Sequence, residues 1–196
     1  MSTALNHRSN FLTHDDYFAL EQADDHRYEY LAGEVFAMAG GSEAHALIGS
    51  NALLALGTAL RDRPCRVYNP DMKLYIAAFD KFCYPDVQVL CAEGRRHGKY
   101  VEGPAMLVEV LSEGTESYDR GLKFEHYRHI PQLHHYLLLA QDRPHAELYT
   151  RLADGAWRLT EASGLAGALT LDLWGIELLL AEIYRNVDFS AGAEAG

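Results

Sequence analysis

The sequence has 196 residues, a hydrophobic fraction of 48%, a charged fraction of 23% and a formal net charge of −11. This length suits one domain with a substantial core and small appendages at most. No apolar run approaches the roughly 20 residues that span a bilayer, and the N-terminus lacks an apolar signal region. We therefore expect a cytoplasmic protein without a membrane partner, whose acidic charge works against tight non-specific binding to DNA.

Composition also bounds the organisation of the chain. We expect a single domain over residues 1–190 and a disordered tail, AGAEAG, at 191–196. The three cysteines, Cys65, Cys83 and Cys91, form no CxxC pair, so we expect reduced thiols that serve in packing. The histidines show neither an HExxH motif nor a Cys/His spacing typical of zinc.

The first third of the chain predicts two helices separated by a hairpin. A short helix is expected over THDDYFALEQ, residues 13–22, with acidic residues favourable in its first turn. Apolar residues on both sides of Ala32-Gly33 predict a hairpin that turns at the glycine. Apolar side chains at helical spacing predict a longer helix from Ser42 to about Asp62.

The rest of the chain predicts mostly strands. Four are expected at residues 65–69, 72–78, 85–90 and 105–112, with a loop from Ala92 to Pro104 between the last two. A helix over residues 117–129 is ended by Pro131. Three strands, HYLLLA, AELYTRL and WRLTEA, and a closing helix over residues 174–184 follow. This order predicts a mixed α/β fold with one central sheet flanked by helices.

Two carboxylates lie in strands that are otherwise apolar. Asp86 follows Pro85 at the start of YPDVQVL, and Glu109 lies in the middle of AMLVEVLS, on one face with Leu107 and Leu111. A buried, ionised carboxylate costs several kcal/mol, roughly, unless it is paired or holds a metal ion. We therefore expect a cation close to both side chains.

The helix that follows Glu109 offers that cation. In SYDRGLKFEHYRH, Asp119, Lys123 and Tyr127 are spaced i, i+4, i+8 and share one helix face. A helix packed back on the strand would direct Lys123 toward Glu109. Asp119 and Tyr127 are expected to orient this lysine or to pack beside it.

The same residues suit a divalent ion and phosphodiester hydrolysis. Mg²⁺ prefers hard oxygen ligands, which Asp86, Glu109 and the carbonyl of Val110 could provide. A lysine beside the ion can position the attacking water and stabilise charge on the phosphate. We expect Mg²⁺ as the cofactor, with Mn²⁺ able to substitute.

These residues resemble a known family. The segments YEYLAGEVFAMAGGSEAH (28–45), YPDVQVL (84–90) and PAMLVEVLSEGTESYDRGLKFEHYRHIPQLHHYLLL (104–139) are similar to the restriction-endonuclease-like Uma family of the PD-(D/E)xK nuclease superfamily. The resemblance covers residues 11 to 185, and the combination VEVLS…YDR..K…Y carries most of it.

The resemblance implies a restriction-endonuclease-like fold and metal-dependent cleavage of DNA. Asp86 and Glu109 would be the metal carboxylates and Lys123 the catalytic lysine, displaced to the next helix because Leu111 occupies the usual lysine position. Glu29, in a hairpin that such folds place near the site, would assist. His45 would line the site or pack at its helix start. Because many such nucleases cut both strands as dimers, a homodimer is expected.

Two alternatives stay open on the sequence alone. Glu109 and Lys123 could form a structural ion pair without a metal, in a non-catalytic module that keeps the nuclease fold as a scaffold for a partner. A cysteine hydrolase is a distant third, because no His/Asn pattern supports a thiol nucleophile. If the protein binds DNA, the loop from Ala92 to Pro104, which contains Arg95-Arg96-His97-Gly98-Lys99, is the first candidate for contact.

Overall fold

The structure, a computed structural model, describes residues 11–23, 26–38 and 40–189. Within these ranges the helices are α1 (His14–Ala23), α2 (Glu43–Ala59), α3 (Glu116–Tyr118), α4 (Phe124–Tyr127) and α5 (Leu180–Ile183). A π-helical segment, Asp119–Lys123, joins α3 to α4 without a break. The predicted tail at 191–196 lies outside the described residues.

The described strands form two large sheets and a hairpin. They are β1 (Tyr28–Leu31), β2 (Glu34–Ala37), β3 (Arg66–Tyr68), β4 (Lys73–Ile76), β5 (Lys81–Cys83), β6 (Val87–Leu90), β7 (Arg95–Arg96), β8 (Tyr100–Glu102), β9 (Met106–Val110), β10 (His135–Leu139), β11 (His145–Arg151), β12 (Trp157–Ser163), β13 (Ala168–Leu171) and β14 (Ile176–Leu179). One sheet has the order β2-β1-β5-β4-β8-β7, the other β12-β11-β10-β9-β6-β3, and β13 pairs with β14. Parallel pairs, β9 with β10 and β4 with β8, occur among antiparallel ones, so the predicted mixed fold class is confirmed. The prediction of one central sheet is wrong, because the described strands divide between two six-stranded sheets.

Local sequence explains the first hairpin and the long helix. Ala32 and Gly33 both have positive φ, 47° and 95°, as a two-residue type I′ turn requires. The hydroxyl of Ser42 accepts the backbone N–H of His45 and so caps α2. Both elements match the prediction, although α2 ends at Ala59 rather than near Asp62.

Strand β9 separates two apolar clusters. Met106, Val108 and Val110 face a cluster that includes side chains of α2, while Leu107 and Leu111 face a second cluster. Residues of both large sheets meet in that second cluster, for example Leu74 and Ile76 from β4 and Tyr136 and Leu138 from β10. Glu109 lies on the same face of β9 as Leu107 and Leu111, so it is directed between the two sheets.

A short link carries the chain from one large sheet to the other. Strand β5 ends at Cys83 in the first sheet, and β6 begins at Val87 in the second. The link is Tyr84-Pro85-Asp86, and Pro85 suits this place because it has no N–H to donate to a strand partner. Asp86 therefore lies where the chain passes from the first sheet to the second.

Several elements differ from the sequence prediction. Strand β5 was not predicted, and the expected loop from Ala92 to Pro104 contains the short hairpin of β7 and β8. The predicted helix over residues 174–184 is wrong. Gly175, with φ of 62°, turns the chain, Ile176–Leu179 forms β14, and only Leu180–Ile183 is helical. Burial alternates along this segment, because Leu178 is buried and its neighbours Glu177 and Leu179 are exposed. Such alternation is typical of a strand.

The expectation of three reduced cysteines is also wrong. Antiparallel pairing of β3 with β6 sets Arg66 opposite Leu90, which brings Cys65 and Cys91 face to face just beyond. Their Cα atoms are 4.1 Å apart and a disulfide joins them, whereas Cys83 is a buried free thiol. This pairing depends on strand register, which cysteine spacing alone does not reveal.

Across the described part of the chain, none of the helices has both the length and the apolar character needed to cross a bilayer.

Candidate active site

Asp86 is held at the start of β6 by contacts to two other elements. Its Oδ2 accepts the backbone N–H of Val110 at 2.7 Å, and its Oδ1 lies 2.9 Å from Nε2 of His45 in the first turn of α2. This hydrogen bond raises the pKa of His45 above its usual value, against the opposing effect of burial. Continuing the register of Val87 opposite Val108 places Asp86 opposite Glu109.

Val110 presents its backbone to the same carboxylate. In a strand the N–H and C=O of one residue point toward the same edge. Because the Val110 N–H reaches Asp86, its carbonyl is directed toward the edge where Asp86 lies. Two carboxylates and one carbonyl therefore converge at the end of β9.

Glu109 is buried and bonded through both of its oxygens. Its Oε2 lies 2.9 Å from Nζ of Lys123, and its Oε1 accepts the hydroxyl of Tyr127 at 2.7 Å. Lys123 also donates to Oδ1 of Asp119 at 3.0 Å. Asp119 therefore orients the lysine, as expected, whereas Tyr127 contacts Glu109 rather than the lysine.

Burial and neighbouring charges shift the pKa values of Glu109 and Lys123. Burial raises the pKa of Glu109 to about 8 against the opposing effect of Lys123, and Asp86 and Asp119 add to the rise. Burial would lower the pKa of Lys123, but the carboxylates of Glu109, Asp119 and Glu29 raise it well above its usual value. Glu109 and Asp119 thus bond one ammonium, that of Lys123, while Asp86 acts on Glu109 from the neighbouring strand.

The π-helical segment is what presents Lys123. The hydroxyl of Tyr136, on β10, donates to the backbone carbonyl of Asp119 at 3.0 Å, which gives that carbonyl a partner outside the helix. The backbone N–H of Phe124 bonds to the carbonyl of Gly121. Such one-turn π segments are frequent at functional sites. Here the segment begins at Asp119 and ends at Lys123, the two side chains that bond each other.

Lys81 is a second buried ammonium that the sequence analysis missed. Only 1% of it is exposed, its Nζ lies 3.3 Å from Oε2 of Glu29, and it donates to the hydroxyl of Tyr118 at 2.7 Å. The ring of Tyr118 lies between the two lysines, with Nζ of Lys81 and of Lys123 at 5.2 Å and 6.0 Å from its centroid. Lys81 begins the unpredicted strand β5, so no sequence pattern indicated that it lies near the other candidate residues.

The structure thus brings most of the candidate residues into one region between the sheets. Glu29 lies at its side with Lys81, on the half-buried face of β1 opposite to Tyr28 and Tyr30. Leu111, at the usual lysine position, packs in the apolar cluster instead. The residues predicted for the site, namely Glu29, His45, Asp86, Glu109, Val110, Asp119, Lys123 and Tyr127, are connected by the contacts described above.

Comparisons with known proteins agree with this architecture. Two proteins of Synechocystis sp., described as uncharacterized proteins slr1290 and sll1609, are 32% and 33% identical over 179 and 159 residues. These alignments cover 91% and 80% of this chain and 94% and 90% of the relatives. A crystal structure from Anabaena variabilis, titled a "putative nuclease belonging to DUF820", superposes with a TM-score of 0.70 at 14% identity.

That structural match covers 88% of this chain and 97% of the Anabaena chain, and at this identity it shows a shared fold. The model of the Uma2 family, described as "Putative restriction endonuclease", matches residues 14–181. This match includes the hairpin, both carboxylate strands and the lysine helix, and it confirms the resemblance found in the sequence. The chain therefore belongs to the Uma2 family.

Proposed function

We propose that this protein is a Mg²⁺-dependent endonuclease that hydrolyses DNA phosphodiester bonds. The observation that carries the proposal is the convergence of Asp86, Glu109 and Lys123 from two adjacent strands and the next helix. The site would be of the PD-(D/E)xK type, with its lysine on the following helix. The nuclease-like fold and the family support this reaction class.

The donor set fits a hard divalent cation. Asp86 and Glu109 offer carboxylate oxygens and Val110 a carbonyl oxygen, which are the ligands that Mg²⁺ and Mn²⁺ prefer. With Asp86, Glu109 and Asp119 ionised, Lys123 protonated and His45 neutral, two negative charges remain for a divalent ion. When bound, such an ion would supply Lewis-acid chemistry at the scissile phosphate.

The chain's own residues have distinct roles in this proposal. Two of the three N–H groups of Lys123 donate to Glu109 and Asp119, and we assign the third to the scissile phosphate or the attacking water. Tyr127 fixes the Glu109 carboxylate through its hydroxyl. His45 orients Asp86, and Glu29, held by Lys81, adds a carboxylate at the side of the cleft.

The expected substrate must approach an acidic protein. With a net charge of −11, a DNA substrate would be bound weakly or with the help of a partner, of which a second copy of this chain is the simplest. The hairpin of β7 and β8 presents exposed Arg96 and Lys99 and is our candidate for DNA contact. Cytoplasmic localisation remains part of the proposal. A reducing cytosol would favour the two free thiols of Cys65 and Cys91 over their disulfide.

A non-catalytic scaffold is the second candidate, and one observation favours it. Four buried side chains form a hydrogen-bonded and ion-paired network that needs no metal ion. They are Glu109, Lys123, Asp119 and Tyr127. In that case the fold would serve as a platform for a partner, and the network would only specify the packing of the helix on the sheet.

The deciding experiment combines metal titration with a cleavage assay. Mg²⁺ and Mn²⁺ are titrated calorimetrically into the wild type and into Asp86→Asn, Glu109→Gln and Lys123→Met, with and without a duplex oligonucleotide. Glu125→Gln, which removes an exposed carboxylate of the same helix, is the control. The nuclease proposal predicts about one ion per chain and plasmid cleavage, with ion binding lost in the first two variants and cleavage lost in all three.

Folded wild-type protein that binds neither ion, with or without DNA, and that leaves plasmid intact would instead support the scaffold. Binding and cleavage unchanged in all variants would place the activity elsewhere on the protein.

A further inference from the structure

A second group of metal-ligating side chains lies on the same face of the sheet, away from the proposed nuclease site. Glu109 on β9 is level with Leu138 on β10, Leu138 with Glu147 on β11, and Glu147 with Glu161 on β12. Two strand spacings, about 10 Å in all, separate Glu147 from Glu109 along this row. Directly opposite carboxylates such as Glu147 and Glu161 repel each other unless a cation lies between them.

An imidazole completes this second group. His145 lies two residues before Glu147 on β11 and therefore on the same face. Its Nε2 is 3.7 Å from Oε1 of Glu147 and 3.5 Å from Oε1 of Glu161. One ligand atom from each of the three residues lies within 4.8 Å of the others. Donors on one tetrahedral zinc ion, with bonds of about 2.1 Å, are separated by about 3.4 Å, so small adjustments would complete the coordination.

The surroundings of His145 fix its ring in the orientation that a metal ligand needs. Its Nδ1 is 2.9 Å from Oγ of Ser163, the residue opposite it on β12. If Nδ1–H donates to this hydroxyl, the lone pair of Nε2 faces the two carboxylates. A lone pair directed at two carboxylates is favourable only with a proton or a metal ion between them, and metal-bound histidines commonly donate their other N–H in this way.

Glu147 is held in place by Arg120, which lies in the π-helical segment. The guanidinium donates to Oε1 of Glu147 from Nη2 at 2.6 Å and from Nε at 3.2 Å, and Nε also lies 3.3 Å from Oε2. Glu147 is nearly buried, with 9% of its side chain exposed, whereas 57% of the Glu161 side chain is exposed. One carboxylate is therefore held in place, and the other is free to close on an ion that enters from solvent.

We propose that His145, Glu147 and Glu161 bind one transition-metal ion of the Zn²⁺ class. One imidazole nitrogen with two carboxylate oxygens suits Zn²⁺ and Co²⁺ better than Mg²⁺, which takes oxygen ligands. Arg120 and Ser163 are positioning residues for this site. It does not depend on the nuclease proposal, because it shares no ligand with Asp86 or Glu109.

The test is a titration of the protein with Zn²⁺ and, in a parallel experiment, with Co²⁺ followed by visible absorption. Both titrations contain about 10 mM Mg²⁺, an excess that occupies sites built of oxygen ligands alone. The chains compared are the wild type, His145→Gln, Glu161→Gln and the control Glu177→Gln, which removes another exposed strand carboxylate. We expect one Zn²⁺ per wild-type and control chain. In the other two variants the affinity should fall at least tenfold, a loss on the scale of those seen when metal-site partners are removed.

The metal-free variants are first compared by thermal unfolding in EDTA. Glu161→Gln should unfold no earlier than the wild type, since it removes a like-charge pair at an exposed position. A rise in Tm on adding Zn²⁺ is then expected for the wild type and the control only. No Zn²⁺ binding by folded wild type, or equal affinity in all four chains, would overturn the proposal.

Discussion

Glu109 is a single residue whose burial costs stability. Its carboxylate lies in a strand that is buried along its whole length, with one ammonium and one hydroxyl as partners and two further carboxyl groups nearby. A residue kept only for stability at this position would be apolar, like Leu107 and Leu111 on the same face. The cost of such a carboxylate is itself an argument for function, since strained groups concentrate at functional sites.

Glu109→Gln should stabilise the metal-free protein at neutral pH. The fold raises the pKa of Glu109 from 4.5 to about 8, so the folded state favours the protonated form. The stability contributed by this group is complete below about pH 4.5 and is lost as the pH rises toward 8. Glutamine resembles the protonated form, so its advantage should grow from near zero at pH 4.5 to about 1–3 kcal/mol at pH 7.5.

Urea unfolding in EDTA at both pH values measures this difference, with Glu125→Gln as the control. A Glu109→Gln protein that is less stable than the wild type at pH 7.5 would mean that the ion pair with Lys123 outweighs burial.

His135 provides a prediction of opposite sign. Burial lowers the pKa of His135 to about 4, and its ring accepts the N–H of Leu173 at Nε2 and lies 3.3 Å from Oγ1 of Thr150 at Nδ1. The folded state therefore holds the neutral ring. Its contribution to stability is complete above about pH 6.5 and is lost as the pH falls toward 4.

His135→Gln should show a weaker loss of stability on acidification than the wild type. The difference between pH 7 and pH 4 should be about 3 kcal/mol, from the change in pKa. Chemical unfolding at several pH values tests it, and parallel curves for the two chains would exclude this role of His135.

At the scale of elements, the pairing of strands β3 and β6 brings Cys65 and Cys91 together, which the sequence did not predict. Strand β3 is the edge strand of its sheet, and its one sheet partner is β6, which begins directly after Asp86. The disulfide between Cys65 and Cys91 closes a segment of 26 residues that includes β4 and β5. This segment carries Lys81 and the link to Asp86, so the cross-link restrains one side of the site.

Removing the disulfide should destabilise the protein by about 3.5 kcal/mol, the loop-entropy value for a segment of this length. The measurement is urea unfolding of Cys65→Ser/Cys91→Ser beside the oxidised wild type. Titration with a thiol reagent after unfolding should find one thiol, Cys83, in oxidised protein and three after reduction. Three thiols in protein that has been treated with an oxidant would contradict the cross-link.

At the scale of the whole molecule, charge is the feature that bears most on the substrate. The net charge of −11 leaves few places where a phosphate backbone could lie. Among the described residues, the exposed basic side chains include Arg96 and Lys99 on the β7–β8 hairpin and Arg61 and Arg66 near the start of β3. Only contacts to phosphates should give DNA binding a steep dependence on salt.

If the β7–β8 hairpin contacts DNA, Arg96→Gln/Lys99→Gln should weaken duplex binding at every sequence. It should also reduce the slope of log Kd against log salt by about 2, since each phosphate contact contributes about 0.9. Arg61→Gln/Arg66→Gln, a change of equal charge, is the control for a general electrostatic effect. Equal losses in both double variants would show that the hairpin has no special role.

Much of the fold could be predicted because local pattern and tertiary environment agree. The hairpin at Gly33, helix α2 capped by Ser42, and strands β6, β9 and β10 each follow from apolar spacing and turn residues. Short elements could not be predicted in this way. Strand β5 has three residues and β7 two, and strand β14 depends on a partner, β13, that was not foreseen. Whether such a segment forms a strand depends on its pairing with another strand, because so few residues cannot show a reliable hydrophobic period.

The sequence by itself determined the mixed fold class, the family and the carboxylates and lysine of the candidate site. These depend on local features, since a charged residue inside an apolar strand is visible without knowing its neighbours. Only the tertiary structure decided that Lys81 joins the site, that Cys65 meets Cys91, and that His145 faces two carboxylates. Each of these contacts depends on strand register or on the approach of two sheets, which set distances between residues far apart in the chain.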